Sequence, residues 1–99
     1  MNSKVYYGST ILDTKDNNVK NRIELEYYRT EEKVENGFKY GIEIRKKEYI
    51  NDGITEESNN IENISNSSDK VIEIINTLKE YKVTPIGLDD VLEDLLKAN

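Results

Sequence analysis

Two periodicities divide the chain. Over the first sixty or so residues apolar and polar positions alternate: Ile23, Leu25 and Tyr27 are separated by Glu24 and Glu26, and Phe38, Tyr40, Ile42 and Ile44 by Lys39, Gly41 and Glu43. That spacing predicts strands with one wet face. Between the two runs stands Asn36-Gly37, a dipeptide that tolerates φ > 0 at both centres of a type I′ turn. A two-residue loop there pairs position 35 with 38, Ile23 with Ile50 and Leu25 with Glu48 on the inner side, and Glu26 with Lys47 and Tyr28 with Arg45 on the outer. The polar stretch 29–35 then faces Phe38, Tyr40 and Ile42, so either the hairpin tip projects past the core or the loop is longer. Asn51-Asp52-Gly53 predicts a three-residue turn into a fourth strand over about 54–61. The first strand, 4–12, holds Val5, Tyr6, Tyr7, Ile11 and Leu12 but is interrupted by Gly8, Ser9 and Thr10, and 13–21 reads as a polar loop.

From Ser68 the period becomes helical. Val71, Ile74, Ile75, Leu78 and Tyr81 share one side of a helix capped by Ser67 or Ser68, with Asp69 placed well for the dipole. The helix stops near Lys82, ahead of Pro85. Thr84 as N-cap, Pro85 at the first helical position and a Val83–Leu88 staple start a second helix, whose stripe is Leu88, Val91, Leu92, Leu95 and Leu96. Two amphipathic helices and one half-apolar sheet fit one arrangement: an α+β fold, a four-stranded antiparallel meander with both C-terminal helices packed on one face, strands 1 and 4 at its edges. It reads as a single domain, 1–99, with the sheet in 1–64 and a helical hairpin in 65–99.

Composition narrows the chemistry. With no Cys and no His, the chain has no thiolate, imidazole, zinc set or disulfide, and the expectation is a non-enzymatic protein without cofactor or metal. A net charge of −6 weighs against nucleic acid. The helix pair looks superficially like a helix-turn-helix, but residues 69–99 carry four Lys against seven acids. The longest apolar run, Val5-Tyr6-Tyr7, crosses no membrane, so the expected setting is cytoplasmic. Asp89, Asp90, Glu93 and Asp94 lack the spacing of a calcium loop and read as a solvated helix face. Twelve Asn, 12 Ile and 11 Lys against one Ala are the bias of an AT-rich bacterial genome.

The candidate interaction residues are Tyr6, Tyr28, Arg45 and Tyr49, a mix enriched at interfaces, together with Asp90, Glu93 and Asp94. Strand 4 carries Glu56, Glu57, Asn59 and Asn60, whereas strand 1 has no charge between Lys4 and Asp13. A homodimer through the strand 1 edge is therefore expected.

Two motifs, Tyr40-Gly41-Ile42-Glu43-Ile44 and Val83-Thr84-Pro85-Ile86-Gly87-Leu88 followed by Asp90-Val91-Leu92-Glu93-Asp94, resemble those of a domain of unknown function in small proteins of clostridia and related spore-forming anaerobes. The resemblance spans about residues 5–96. It implies a role in regulating entry into sporulation and supplies no site residues; Gly87, where a larger polar residue is expected, implies a looser first turn. The expected function is thus a small regulatory module acting through an unidentified protein partner; the alternatives are a weak nucleic-acid-binding transcriptional regulator and a small-ligand sensor.

Overall fold

The computed structural model describes residues 2–16, 19–50 and 53–97. The elements run β1 (Asn2–Asp16), β2 (Val19–Val34), β3 (Gly37–Ile50), β4 (Gly53–Ser65), α1 (Ser68–Glu80) and α2 (Leu88–Lys97). The strands form one antiparallel sheet in chain order, β1-β2-β3-β4, and both helices pack on one face of it. The meander, its edges and the two-layer α+β architecture are those the alternation and the change of period require.

The strands are longer than their apolar runs. β1 continues to Asp16 and β2 begins at Val19, so the expected loop over 13–21 is instead mostly ladder: once Leu12 is paired with Ile23, each further step satisfies backbone groups. β4 likewise runs to Ser65, past position 61. Asn51 and Asp52 lie outside the described residues; Gly53 pairs directly with Ile50.

The β2–β3 register differs from expectation by two. Val34 pairs with Gly37, Ile23 with Glu48, Leu25 with Lys46, Glu26 with Arg45 and Tyr28 with Glu43. The loop is therefore Glu35-Asn36; Gly37 lies in the strand at φ 137°, and Asn36 is not left-handed, so the turn is not type I′. Because side chains alternate with period two, a slip of two leaves every residue on its original face, and parity cannot detect it.

The inner face holds Ile23, Leu25 and Tyr27 of β2 and Ile42 and Ile44 of β3, which meet Val71, Ile74, Ile75, Leu78, Val83, Leu88 and Leu92 in one cluster. Tyr27 is wholly buried, and its hydroxyl donates to the Val83 carbonyl at 2.9 Å. Burial pushes its pKa up to about 12. Arg29 accounts for the polar stretch after Tyr28. On the inner face its guanidinium lies over the rings of Tyr40 (4.9 Å) and Tyr7 (5.7 Å), pairs with Glu31 at 3.3 Å and donates to the Ser68 hydroxyl at the start of α1. Phe38 stacks on Tyr40 and stays exposed, so the tip does project past the core.

Two irregularities shape the edges. In β1 the register shifts between Tyr6 and Ser9, which lets Tyr7 and Leu12, five residues apart, both pack on the core. Gly8 sits there at φ 122°, and Lys79 of α1 donates to the Tyr7 carbonyl at 3.1 Å. The interruption at Gly8-Ser9-Thr10 is thus a bulge within one strand. In β4 the shift falls opposite Gly41, with Asn63 left-handed at φ 56°. A Cβ on Gly41 would lie 2.3 Å from the Ile61 carbonyl oxygen and 2.9 Å from Glu62 Cα, so only glycine admits this approach.

Ser67 caps α1, accepting from the Lys70 N–H at 3.3 Å. The helix ends through backbone bonds: Val83 N–H to Leu78 O (3.0 Å) and Lys82 N–H to Lys79 O (3.1 Å), with Lys82 left-handed at φ 53°. Its stop is where expected, but the device is this reversal rather than Pro85. Tyr81 falls past the last helical residue and is 71 % exposed, not core. α2 begins later than expected. Gly87 and Leu88 donate to the carbonyls of Thr84 and Pro85, three residues back, giving a tighter turn, and the first helical bond is Val91 N–H to Gly87 O. Thr84 therefore does not cap α2. Val83 and Leu88 still share the core cluster, whereas Leu96 leaves the stripe and is exposed.

Candidate functional site

The helices cover one side of the sheet only. On the outer side stand Lys4 and Tyr6 of β1, Glu24, Glu26, Tyr28 and Thr30 of β2, Gly41, Glu43, Arg45, Lys47 and Tyr49 of β3, and Ile54, Glu56, Ser58 and Asn60 of β4. The register that buries their sequence neighbours places them there. Apart from Gly41, none of these is fully buried.

Their contacts run across strands. Tyr6 meets the ring of Tyr28 edge-on at 5.6 Å, and Lys4 lies 4.8 Å above the same ring while pairing with Glu43 at 3.0 Å. Arg45 approaches Glu43 at 3.5 Å, and Lys47 approaches Glu26 at 3.6 Å. The Tyr28 hydroxyl donates to Glu26 at 3.3 Å. Desolvation, then the Glu26 charge and hydrogen bond, raise the Tyr28 pKa against the opposing pull of Arg45. Glu26 likewise raises that of Lys47. Where Gly41 lacks a side chain, a hollow of about 230 Å³ opens among Lys4, Thr30, Glu32, Lys39, Glu43 and Glu62. This is smaller than the ~300–1,000 Å³ of small-molecule pockets. A more open cleft of about 390 Å³ lies between β4 and the α1–α2 corner, lined by Glu57, Asn59, Pro85, Ile86 and Asp89.

The seven candidate residues separate into two sets. Tyr6, Tyr28, Arg45 and Tyr49 share the outer face, with Tyr6 and Tyr28 in contact. Asp90, Glu93 and Asp94 are exposed on α2, in the other layer, where Glu93 pairs with Lys97 at 2.9 Å. Sequence reasoning placed Glu26 with Lys47, and Tyr28 with Arg45, on this face, but it did not bring Lys4 and Glu43 into the lattice. The bulge hides the parity of Lys4, and the expected register put Arg45 rather than Glu43 directly opposite Tyr28, although the Glu26–Lys47 ion pair it predicts forms across the diagonal. Among the described residues no group of three or more acids could hold a metal ion, and no helix is long and apolar enough to cross a membrane.

Residues 6–98 match a family of unknown function, DUF6514. The protein belongs to this family. The match takes in β1 from Tyr6 onward, the other three strands and both helices, so the DUF6514 unit comprises the sheet together with its helical layer. No curated protein and no solved structure matches the sequence.

Proposed function

We propose that the protein is a small non-enzymatic regulator acting through protein contacts, and that its working surface is the outer face of the sheet. The observation that carries this reading is the uncovered Tyr6–Tyr28 pair beside Arg45, set in rows of ion pairs. Tyr and Arg are the residues that anchor interfaces, and paired charges select a partner more than they tighten it. The α2 acids offer neither aromatic surface nor a fixed array. Resemblance of the Tyr40–Ile44 and Val83–Asp94 motifs supports the pathway: regulation of entry into sporulation, in the cytoplasm of a bacterium.

The test is a tagged protein expressed from its own locus, purified with its partners and analysed by mass spectrometry, with spore counts from the same strains. Three versions suffice: parent, Tyr28→Ala with Arg45→Ala, and Asp90→Ala with Asp94→Ala. A partner held by the parent and the α2 version and lost from the outer-face version, with altered sporulation, is expected. Equal retention by all three with unchanged sporulation overturns the reading. A salt-sensitive mobility shift on DNA would favour nucleic-acid binding instead.

For the β1 edge we infer a second copy of the protein as occupant. Val5, Tyr6 and Ile11 are exposed there, and no charge separates Lys4 from Asp13. Light scattering at micromolar concentration should report a dimer that Tyr6→Lys dissociates; a monomeric parent overturns this.

A further inference from the structure

Of the 12 Asn residues only Asn36 precedes a glycine, and the fold presents that pair at the exposed tip of a hairpin. The last rung of the β2–β3 ladder is Val34–Gly37, so Asn36 lies in the loop. Positions 35–39 are all exposed, and no atom lies within 4 Å of the place a Cβ on Gly37 would occupy. The Asn36 amide has no partner among the described residues, whereas that of Asn59 donates to the Pro85 carbonyl at 3.0 Å.

We propose that Asn36 is a self-modification site that converts, without an enzyme, to isoaspartate and aspartate. When the terminal Val34–Gly37 rung opens, the Gly37 backbone nitrogen attacks Cγ of the Asn36 side chain, and a new C–N bond closes a five-membered succinimide. The bond from Cγ to Nδ2 breaks, and the amine leaves as ammonia with the proton from Gly37. Water then opens the ring: cleavage at the backbone carbonyl gives isoaspartate, and cleavage at Cγ gives aspartate. No oxidant or reductant is needed. Glycine is the residue that lets the following nitrogen approach, since it brings no side chain against the ring.

The product has a defined consequence. A neutral amide becomes a carboxylate beside Glu35, on a tip already carrying Glu31 and Glu32, making the protein one unit more negative. The isoaspartate form also lengthens the backbone by one methylene within the loop. Phe38 is half in water, so no core contact depends on the loop. The converted protein stays folded and differs from the fresh one only at this end of the sheet.

The test is to hold the purified full-length protein in warm, mildly alkaline buffer and follow each asparagine by peptide mapping, with enzymatic methylation as the readout for isoaspartate. Asn36→Gln, whose amide is one methylene too far for the five-membered ring, is the control. The expected result is conversion at position 36 several-fold faster than at exposed Asn66, none at Asn59, loss of methylation from the residue 36 peptide of the Gln variant, and an unchanged urea midpoint for the aged protein. Conversion at Asn36 no faster than at Asn66 overturns the site. An aged protein that melts earlier overturns the claim that the product is a folded second form.

Discussion

On the inner face of β2 and β3, Leu25, Tyr27, Ile42 and Ile44 are fully buried. Their immediate neighbours Glu26, Tyr28, Glu43 and Arg45 remain in contact with water. One peptide unit thus separates residues under quite different physical rules. Inside, burying one large apolar side chain is worth about 1.5–3 kcal/mol. Outside, a cross-strand pair is worth roughly 0.2–1 kcal/mol. The comparison teaches that stability and recognition are assigned to opposite sides of the same strands, leaving the outer side free to carry charge and aromatic surface.

The largest effect should come from hollowing the inner face. Leu25→Ala, which leaves a cavity among α1 and the central strands, should cost about 2–5 kcal/mol in urea melts. Next is Gly41→Ala, which tests whether the outer face has any position the fold cannot spare. Its Cβ meets β4 backbone rather than a flexible tip, and overpacking of this kind costs about 1–3 kcal/mol. An unchanged midpoint would mean that the β4 bulge moves freely.

Tyr27→Phe should cost about 1 kcal/mol for the lost bond to Val83, and it carries a pH signature. The folded pKa of about 12 exceeds the unfolded value of 10.0. The unfolded protein therefore releases its proton first as pH rises. The contribution of Tyr27 is intact below pH 10.0 and is lost on the way to about 12. The Phe variant should show a shallower alkaline fall in its urea midpoint; parallel curves would place the hydroxyl in water. The smallest effect belongs to Glu43→Gln, which releases both Lys4 and Arg45. It should cost roughly 0.2–1 kcal/mol, less at high salt. A loss matching that of Leu25→Ala would erase the distinction between the faces.

Much of this division was legible in the amino-acid sequence. Alternation placed Leu25, Tyr27, Ile42 and Ile44 inside and Tyr28 and Arg45 outside, because the face of a side chain depends only on parity. Parity is blind to a two-residue slip, so the residues directly opposite Glu26 and Tyr28 were misassigned while their faces were right, and Glu26 still pairs with Lys47 across the diagonal. The bulge at Gly8 escaped because it reverses parity within one strand and so mimics a break. Thr84 and Pro85 have the composition of a helix start, but a cap is decided by backbone bonds, and those place the first helical turn at Gly87–Val91. Gly41 gave no sign of its role, since the backbone that crowds it arrives from β4, about twenty residues later in the sequence.

The strand order has a further consequence, for the history of the molecule rather than its final state. Each strand pairs only with its sequence neighbours, so no rung of the sheet waits for a distant segment. Hairpins close in about 1–10 μs, and local topologies of this kind fold quickly. During synthesis the four strands emerge before α1 and α2. For that interval the apolar side of the meander has nothing to cover it, and it stays adhesive until α1 and α2 leave the ribosome. A polypeptide truncated before Ser68 would be held in that condition permanently, as a sheet that aggregates.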